Sequence, residues 1–181
     1  MPISSDSLSD LYGSIRDVPD FPKPGIVFKD ITPLLLNHEL LGTAIEQMTE
    51  PFRDSGIQRV LSVESRGFIL GAPIAMALEA GLVLARKVGK LPWKTRRVEY
   101  SLEYGSDAIE VHVDSIDSGQ RVLVVDDVLA TGGTAEAAAR SVTEAGAELV
   151  GFSFLIELSD LSGRAKLPQG NVSCLLSYPR K

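Results

Sequence analysis

Apolar residues along the chain fall into short, nearly continuous runs, separated by helical stripes and glycine stops. Arg59–Val63, Leu82–Arg86, Arg121–Val125, Leu149–Leu158 and Val172–Tyr178 read as strands, and Ala108–Val113 alternates as one more. Helical spacing predicts Ser7–Arg16, with Leu8, Leu11, Tyr12 and Ile15 on one stripe. It also predicts His38–Asp54, with Leu41, Ile45, Met48 and Phe52 facing the core, Asn37 as N-cap and Gly56 as stop. Gly67–Ala80 is almost wholly apolar and reads as a buried core helix ended by Gly81. Thr134–Ala145 is a further helix, ended by Gly146. Asp20–Gly25 holds two prolines and a glycine, a stiff connector that leads into an extended piece, Ile26–Ile31. Apolar strands alternating with helices imply an α/β fold with a mainly parallel central sheet flanked by helices, in one domain spanning 1–181.

One connection breaks the pattern of short loops. Lys87–Ser106 is long, polar and basic. Long connections in compact domains are usually lids or binding loops, so 87–106 is expected to be a flexible lid. Arg86, Lys87, Lys90, Lys94, Arg96 and Arg97 put six of the chain's 18 basic residues into twelve positions. In a chain of formal charge −6, that concentration asks for an anionic partner.

Composition narrows the class. The 181 residues suit one core, and 44% hydrophobic content excludes a disordered chain. The acidic balance argues against general nucleic-acid binding, which needs a basic face. No run approaches the ~20 apolar residues of a membrane span, and the polar start Met1–Asp10 lacks the features of a secretory leader. The single cysteine, Cys174, sits in an apolar run and is expected to be a small buried hydrophobe. A reducing, cytoplasmic setting follows as the expectation. His38 and His112 lack metal-ligand spacing.

The chemistry concentrates in Val122–Thr134. An apolar strand ends in Asp126 and Asp127, followed by Ala130-Thr131-Gly132-Gly133-Thr134 and a helix. Ligands of open α/β sheets bind outside the carboxyl ends of the strands. Two glycines let the backbone approach an anion closely, and the helix start adds N–H donors and a favourable dipole. A plain strand-to-helix turn needs one glycine, so Thr-Gly-Gly-Thr asks for another cause. A monophosphate in this loop, with a ribose diol on the acids, describes one ligand: a ribose 5-phosphate unit. Neighbouring side chains on extended backbone point to opposite faces, so Asp126 and Asp127 should do different jobs. The loop lacks the Gly-Lys-Ser/Thr of a Walker A motif and the Gly-x-Gly-x-x-Gly of a dinucleotide fingerprint. Glu64-Ser65-Arg66-Gly67 also joins a strand to a helix and is a second anion site by the same logic, now with an arginine.

The Asp-Asp…Thr-Gly-Gly-Thr stretch resembles the phosphoribosyl-diphosphate signature of type I phosphoribosyltransferases. Phe21–Ile31, Glu64–Phe68, Arg86–Pro92 and Tyr100–Gly105 extend the likeness nearly end to end, to the members that act on adenine. The resemblance implies the type I fold, with an N-terminal base-binding hood (1–36) and the lid. It implies transfer of 5-phosphoribosyl from 5-phosphoribosyl 1-diphosphate to adenine, giving AMP and diphosphate in purine salvage. It also implies a homodimer, and Mg²⁺ held mainly through substrate oxygens rather than by a protein cage. Asp126, Asp127, Ala130, Thr131, Gly132, Gly133 and Thr134 would take the ribose 5-phosphate. Ser65, Arg66, Arg86, Lys87, Lys90 and Tyr104 would hold the diphosphate. Val27, Phe28, Lys29 and Leu158 would hold adenine, with Phe28 stacked on the ring. Glu103 and Arg66 would be catalytic, Glu103 as acid/base near the purine. Two other readings stay open at this point: transfer to hypoxanthine, guanine or xanthine, and a regulator that binds the donor without turning it over.

Overall fold

A computed structural model describes residues 4–101, 106–168 and 170–179. The chain divides into two compact units, Met1–Gln47 and Met48–Lys181.

In the first unit, α1 (Ser5–Gly13) starts at Ser4, whose Oγ accepts from the Ser7 N–H at 3.1 Å. It ends three residues before the Arg16 expected from spacing. Arg16 instead opens β1 (Arg16–Pro19), paired antiparallel with β2 (Val27–Asp30) in the register Arg16↔Asp30. The ladder wins those residues from the helix. Between the strands, the Phe21–Pro22 peptide is cis and Asp20 Oδ1 accepts from the Gly25 N–H at 2.7 Å. After α2 (Thr32–Leu36), Asn37 caps α3 (His38–Thr49) as expected, its Oδ1 accepting from Glu39 and Leu40 N–H at 3.1 and 3.2 Å. The α-helix stops at Thr49 rather than Asp54. Pro51 has no N–H to continue it, and Glu50–Phe52 tightens into a 3-10 turn.

The second unit is built on one sheet. Its elements are β3 (Arg59–Val63), α4 (Gly67–Ala77), β4 (Gly81–Lys87), β5 (Thr95–Ser101), β6 (Ser106–His112), β7 (Arg121–Leu129), α5 (Gly133–Glu144), β8 (Glu148–Leu158) and β9 (Asn171–Tyr178). The order is β5-β6-β4-β3-β7-β8-β9. From β4 to β9 neighbouring strands are parallel, and β5 and β6 add an antiparallel hairpin at the β4 edge. Leu61, Val63, Val122, Val124, Phe152 and Phe154 of the central strands pack in one core with Ala135, Ala138, Ala139 and Val142 of α5. Each large side chain so enclosed contributes about 1.5–3 kcal/mol.

Three further sequence expectations need correction. The connection 87–106 is not loop throughout. Within it Thr95–Ser101 forms β5, where Val98 and Tyr100 are buried and Arg97 and Glu99 between and beside them are not. That is a period-two strand masked by its charged outer face. The strand carrying the acids does not end at Val125. It runs to Leu129, because β8 continues to pair with it (Val128↔Ile156, Leu129↔Glu157) after β3 has stopped at Ser62↔Val125. The apolar helix α4 is only partly enclosed, with Ile69 44% and Met76 81% exposed.

The chain leaves β3 for β4 on one side, while β7 lies on the other. The carboxyl ends of β3 and β7 therefore flank a topological switch point, where open α/β sheets leave a crevice.

Candidate active site

Two strand-to-helix loops meet at that crevice. The first, Glu64–Gly67, follows β3 and opens α4, and its Glu64–Ser65 peptide is cis. The second follows β7 and opens α5, with Gly132 at φ +82° as the residue before the helix. The first helical bond there is Glu136 N–H to Gly132 O at 2.8 Å. The N–H groups of Gly133, Thr134 and Ala135 precede it and belong to the free end of the helix. A cavity of about 350 Å³ is lined by Ser65, Arg66, Arg86, Lys87, Asp126, Asp127 and Thr134, with Glu64, Tyr100 and Ile109. A second of about 70 Å³ is lined by Asp126 and Val128–Ala135, the cradle of the Thr-Gly-Gly-Thr loop.

Charge is arranged pairwise across the cavity. Arg66 Nε donates to Asp127 Oδ2 at 2.5 Å and joins the first loop to β7, which leads into the second. Glu64 accepts from Arg86 through Nη2 at 2.9 Å and Nε at 3.3 Å, and from the Lys87 backbone N–H at 2.9 Å. The Arg86 bond, more than anything else, holds the Glu64 carboxyl below its ordinary range. Arg86 also donates from Nη1 to the Lys90 carbonyl at 3.0 Å. The Lys87 ammonium pairs with Asp107, which raises the lysine and lowers the carboxyl. Tyr100 OH donates to the same carboxylate at 3.1 Å, and burial pushes the phenol up. Burial, and after it repulsion from Asp127, push Asp126 well above the usual carboxylate range. Asp126 Oδ1 accepts from the Asp127 N–H at 2.8 Å.

The two acids do differ, as alternation implied: Asp127 binds Arg66 and lines the larger cavity, whereas Asp126 lines both, as Thr134 does. Ser65, Arg66, Arg86, Lys87, Asp126, Asp127 and Thr134 come together around the larger cavity, and Ala130, Thr131, Gly132 and Gly133 line the smaller. Lys90 meets this group through its carbonyl on Arg86. Leu158 ends β8. Val27, Phe28 and Lys29 lie on β2 of the first unit. There the Phe28 ring meets Phe21 edge-on at 5.2 Å and Lys29 Nζ pairs with Asp17 at 2.5 Å. Glu103 and Tyr104 lie outside the described residues. Cys174 is half-buried, and burial pushes its thiol up to about 12, which fits an inert side chain. Sequence reasoning gave no role to Glu64, Tyr100 or Asp107. Glu64 stood inside a quoted motif. Asp107 carried no signal, since its partner Lys87 is twenty residues away in the chain.

A parallel sheet whose switch point carries an arginine loop beside an Asp-Asp strand and a Thr-Gly-Gly-Thr helix start is the frame of a type I phosphoribosyltransferase. The family model for the phosphoribosyl transferase domain matches residues 35–175. The chain is 58% identical over 171 residues to an adenine phosphoribosyltransferase of Myxococcus xanthus, covering 94% of this chain and 93% of that one. Among solved structures, the adenine phosphoribosyltransferase of Rhodothermus marinus superposes with a TM-score of 0.93 at 54% identity, covering 97% and 100% of the two chains. The Saccharomyces cerevisiae enzyme, complexed with an imino-altritol bisphosphate and adenine, gives 0.89 at 37% identity, covering 96% and 100%. The chain belongs to the phosphoribosyltransferase family and, within it, to the adenine phosphoribosyltransferases.

Proposed function

We propose that this protein transfers the 5-phosphoribosyl group of 5-phosphoribosyl 1-diphosphate to adenine, releasing AMP and diphosphate, in purine salvage. The observation that carries it is the Arg66–Asp127 bond, which ties the cationic loop of the larger cavity to the strand that leads into the phosphate cradle of the smaller. The bond from the anomeric carbon to diphosphate breaks with its electron pair going to diphosphate. A ring nitrogen of adenine bonds to that carbon and gives up its proton. Positive charge builds on the sugar as the leaving group loosens, so catalysis is mainly electrostatics and positioning.

The 5′-phosphate is assigned to 130–134 and the ribose diol to Asp126 and Asp127. Ser65, Arg66, Arg86, Lys87 and Lys90 are assigned to the diphosphate. Arg86 would have to share its fork with Glu64, so its part is to shape the loop as much as to bind. Phe28, Val27, Lys29 and Leu158 are assigned to adenine; a flat neutral heterocycle suits an aromatic face and backbone donors and acceptors. Glu103 as acid/base and Tyr104 over the diphosphate rest on the family resemblance.

Mg²⁺ fits this donor set. Among the described residues no group of three or more His, Cys, Asp or Glu could cage a metal. Asp126 and Asp127 line the cavity beside the assigned ribose diol, and Mg²⁺ would take its oxygens mainly from substrate and water. When bound it neutralises charge on the diphosphate. A homodimer is proposed on the exposed apolar side chains Ile69 and Met76 of α4 and Leu82 and Leu84 of β4. A cytoplasmic setting is proposed on the single cysteine. Among the described residues no helix is long and apolar enough to cross a membrane.

Exchange of labelled adenine into AMP tests the reading. Label should enter AMP only when diphosphate and Mg²⁺ are present. No exchange under those conditions would overturn it.

A further inference from the structure

The connection after β8 passes through two 3-10 turns, Ser159–Leu161 and Gly163–Lys166, with Ser162 between them at φ +52°. Gly163 packs backbone to backbone against the Thr-Gly-Gly-Thr loop. A Cβ on Gly132 would stand 2.4 Å from the Gly163 carbonyl oxygen. A Cβ on Gly163 would stand 2.2 Å from the Ala130 carbonyl oxygen and 3.0 Å from Leu129 Cδ1. Neither glycine can take a side chain without displacing the other segment's backbone.

The turn is itself anchored. Arg164 donates from Nε to Glu157 Oε1 at 2.6 Å and from Nη1 to the Val172 carbonyl at 2.9 Å. Glu157 is on β8 and Val172 on β9, so one guanidinium ties the turn to two strands of the sheet. The Glu157 bond raises the affinity of that guanidinium for its proton.

We propose that Gly163 is a positioning residue for the 5′-phosphate of the donor, and that the turn Gly163–Lys166 is a brace that holds loop 130–134 in its binding shape. This rests on the assignment of that loop to the 5′-phosphate. A cradle of backbone N–H groups works only when the donors converge within a fraction of an ångström. Two adjacent glycines have wide conformational freedom, and a loose loop would lose that entropy on binding. Gly163, seated against Ala130 and Gly132, removes the freedom before the ligand arrives. No sequence motif singles it out, because its partners lie about thirty residues earlier.

Titration calorimetry with ribose 5-phosphate tests the brace on wild type, Gly163→Ala, Arg164→Met and Gly170→Ala. Gly170 lies in the same connection, and its Cβ would meet nothing nearer than 3.9 Å, so it serves as control. Gly163→Ala should weaken ribose 5-phosphate by about tenfold or more, within the ~10²-fold that an ångström of misplacement can cost a preorganised site. It should raise KM for the phosphoribosyl donor and leave KM for adenine unchanged. Arg164→Met should show a smaller loss in the same direction, and it decides the matter if Gly163→Ala does not fold. Gly170→Ala should match wild type. Wild-type affinity in the folded Gly163 and Arg164 variants would overturn the brace while leaving the phosphate assignment standing. Failure of wild type itself to bind ribose 5-phosphate would overturn the assignment, and the brace with it.

Discussion

Arg66 Nε donates to Asp127 Oδ2 at 2.5 Å, across a carboxylate side chain only 9% exposed and a guanidinium 38% exposed. The pair links the loop after β3 to the strand that feeds the phosphate cradle, so the two anion sites are set by one bond. Truncating Arg66 would leave Asp127 enclosed with its main cation gone. Arg66→Gln should lower kcat/KM by about 10²-fold, the usual effect of losing one preorganised charge at a reacting centre. The stability loss should be only about 1–2 kcal/mol, because solvent already screens the guanidinium. Steady-state kinetics and urea unfolding on the same preparation separate the two effects.

Asp126 is a carboxylate whose burial and neighbouring charge raise it well above the usual range. The folded state therefore binds its proton more tightly than the unfolded chain does. Its contribution to stability is full below the unfolded value near ~3.9 and is lost as pH rises through the folded one. Asp126→Asn should melt higher than wild type at neutral pH, with the gap closing as pH falls toward 4, and it should lose activity. Thermal unfolding across pH 4–8 reads this directly; a variant that melts lower at neutral pH would contradict it.

Glu64 is the opposite case, held low by Arg86. Its contribution is present above the unfolded value near ~4.3 and is lost as pH falls through the folded one. Glu64→Gln should destabilise by roughly 1 kcal/mol or less at pH 7, since the pair is partly exposed, with the difference fading in acid. The larger effect should be on KM for the donor, because Arg86 and the Lys87 backbone lose their common anchor.

Phe28 on β2 meets Phe21 edge-on and is assigned to the base. Phe28→Ala should raise KM for adenine about tenfold, from the lost aromatic contact, and leave KM for the donor unchanged. A rise in the donor KM alone would take Phe28 out of the base site.

Where the sequence was legible, the signal was local. The β3 strand matched its apolar run, and Asn37 capped α3 as its side chain allows. Errors arose where a distant partner decides. Asp126 and Asp127 looked like the end of a strand because charges rarely continue one, yet β8 carries the pairing on to Leu129. The strand β5 hid behind Arg97 and Glu99 on its outer face, although Val98 and Tyr100 on the other face are buried. In the site, glycines and acids next to each other in the chain were readable. The Glu64–Arg86 and Lys87–Asp107 pairs were not, since each spans about twenty residues and forms only when the sheet aligns them.

The most direct measurement is nucleotide formation when the purified protein meets 5-phosphoribosyl 1-diphosphate, Mg²⁺ and, in separate reactions, adenine, hypoxanthine, guanine or xanthine. The proposed activity predicts AMP from adenine and no nucleotide from the other three. Nucleotide from another base would keep the donor site and overturn the base assignment. No turnover with any base, by a protein that still binds the donor, would contradict catalysis and leave a donor-binding regulator.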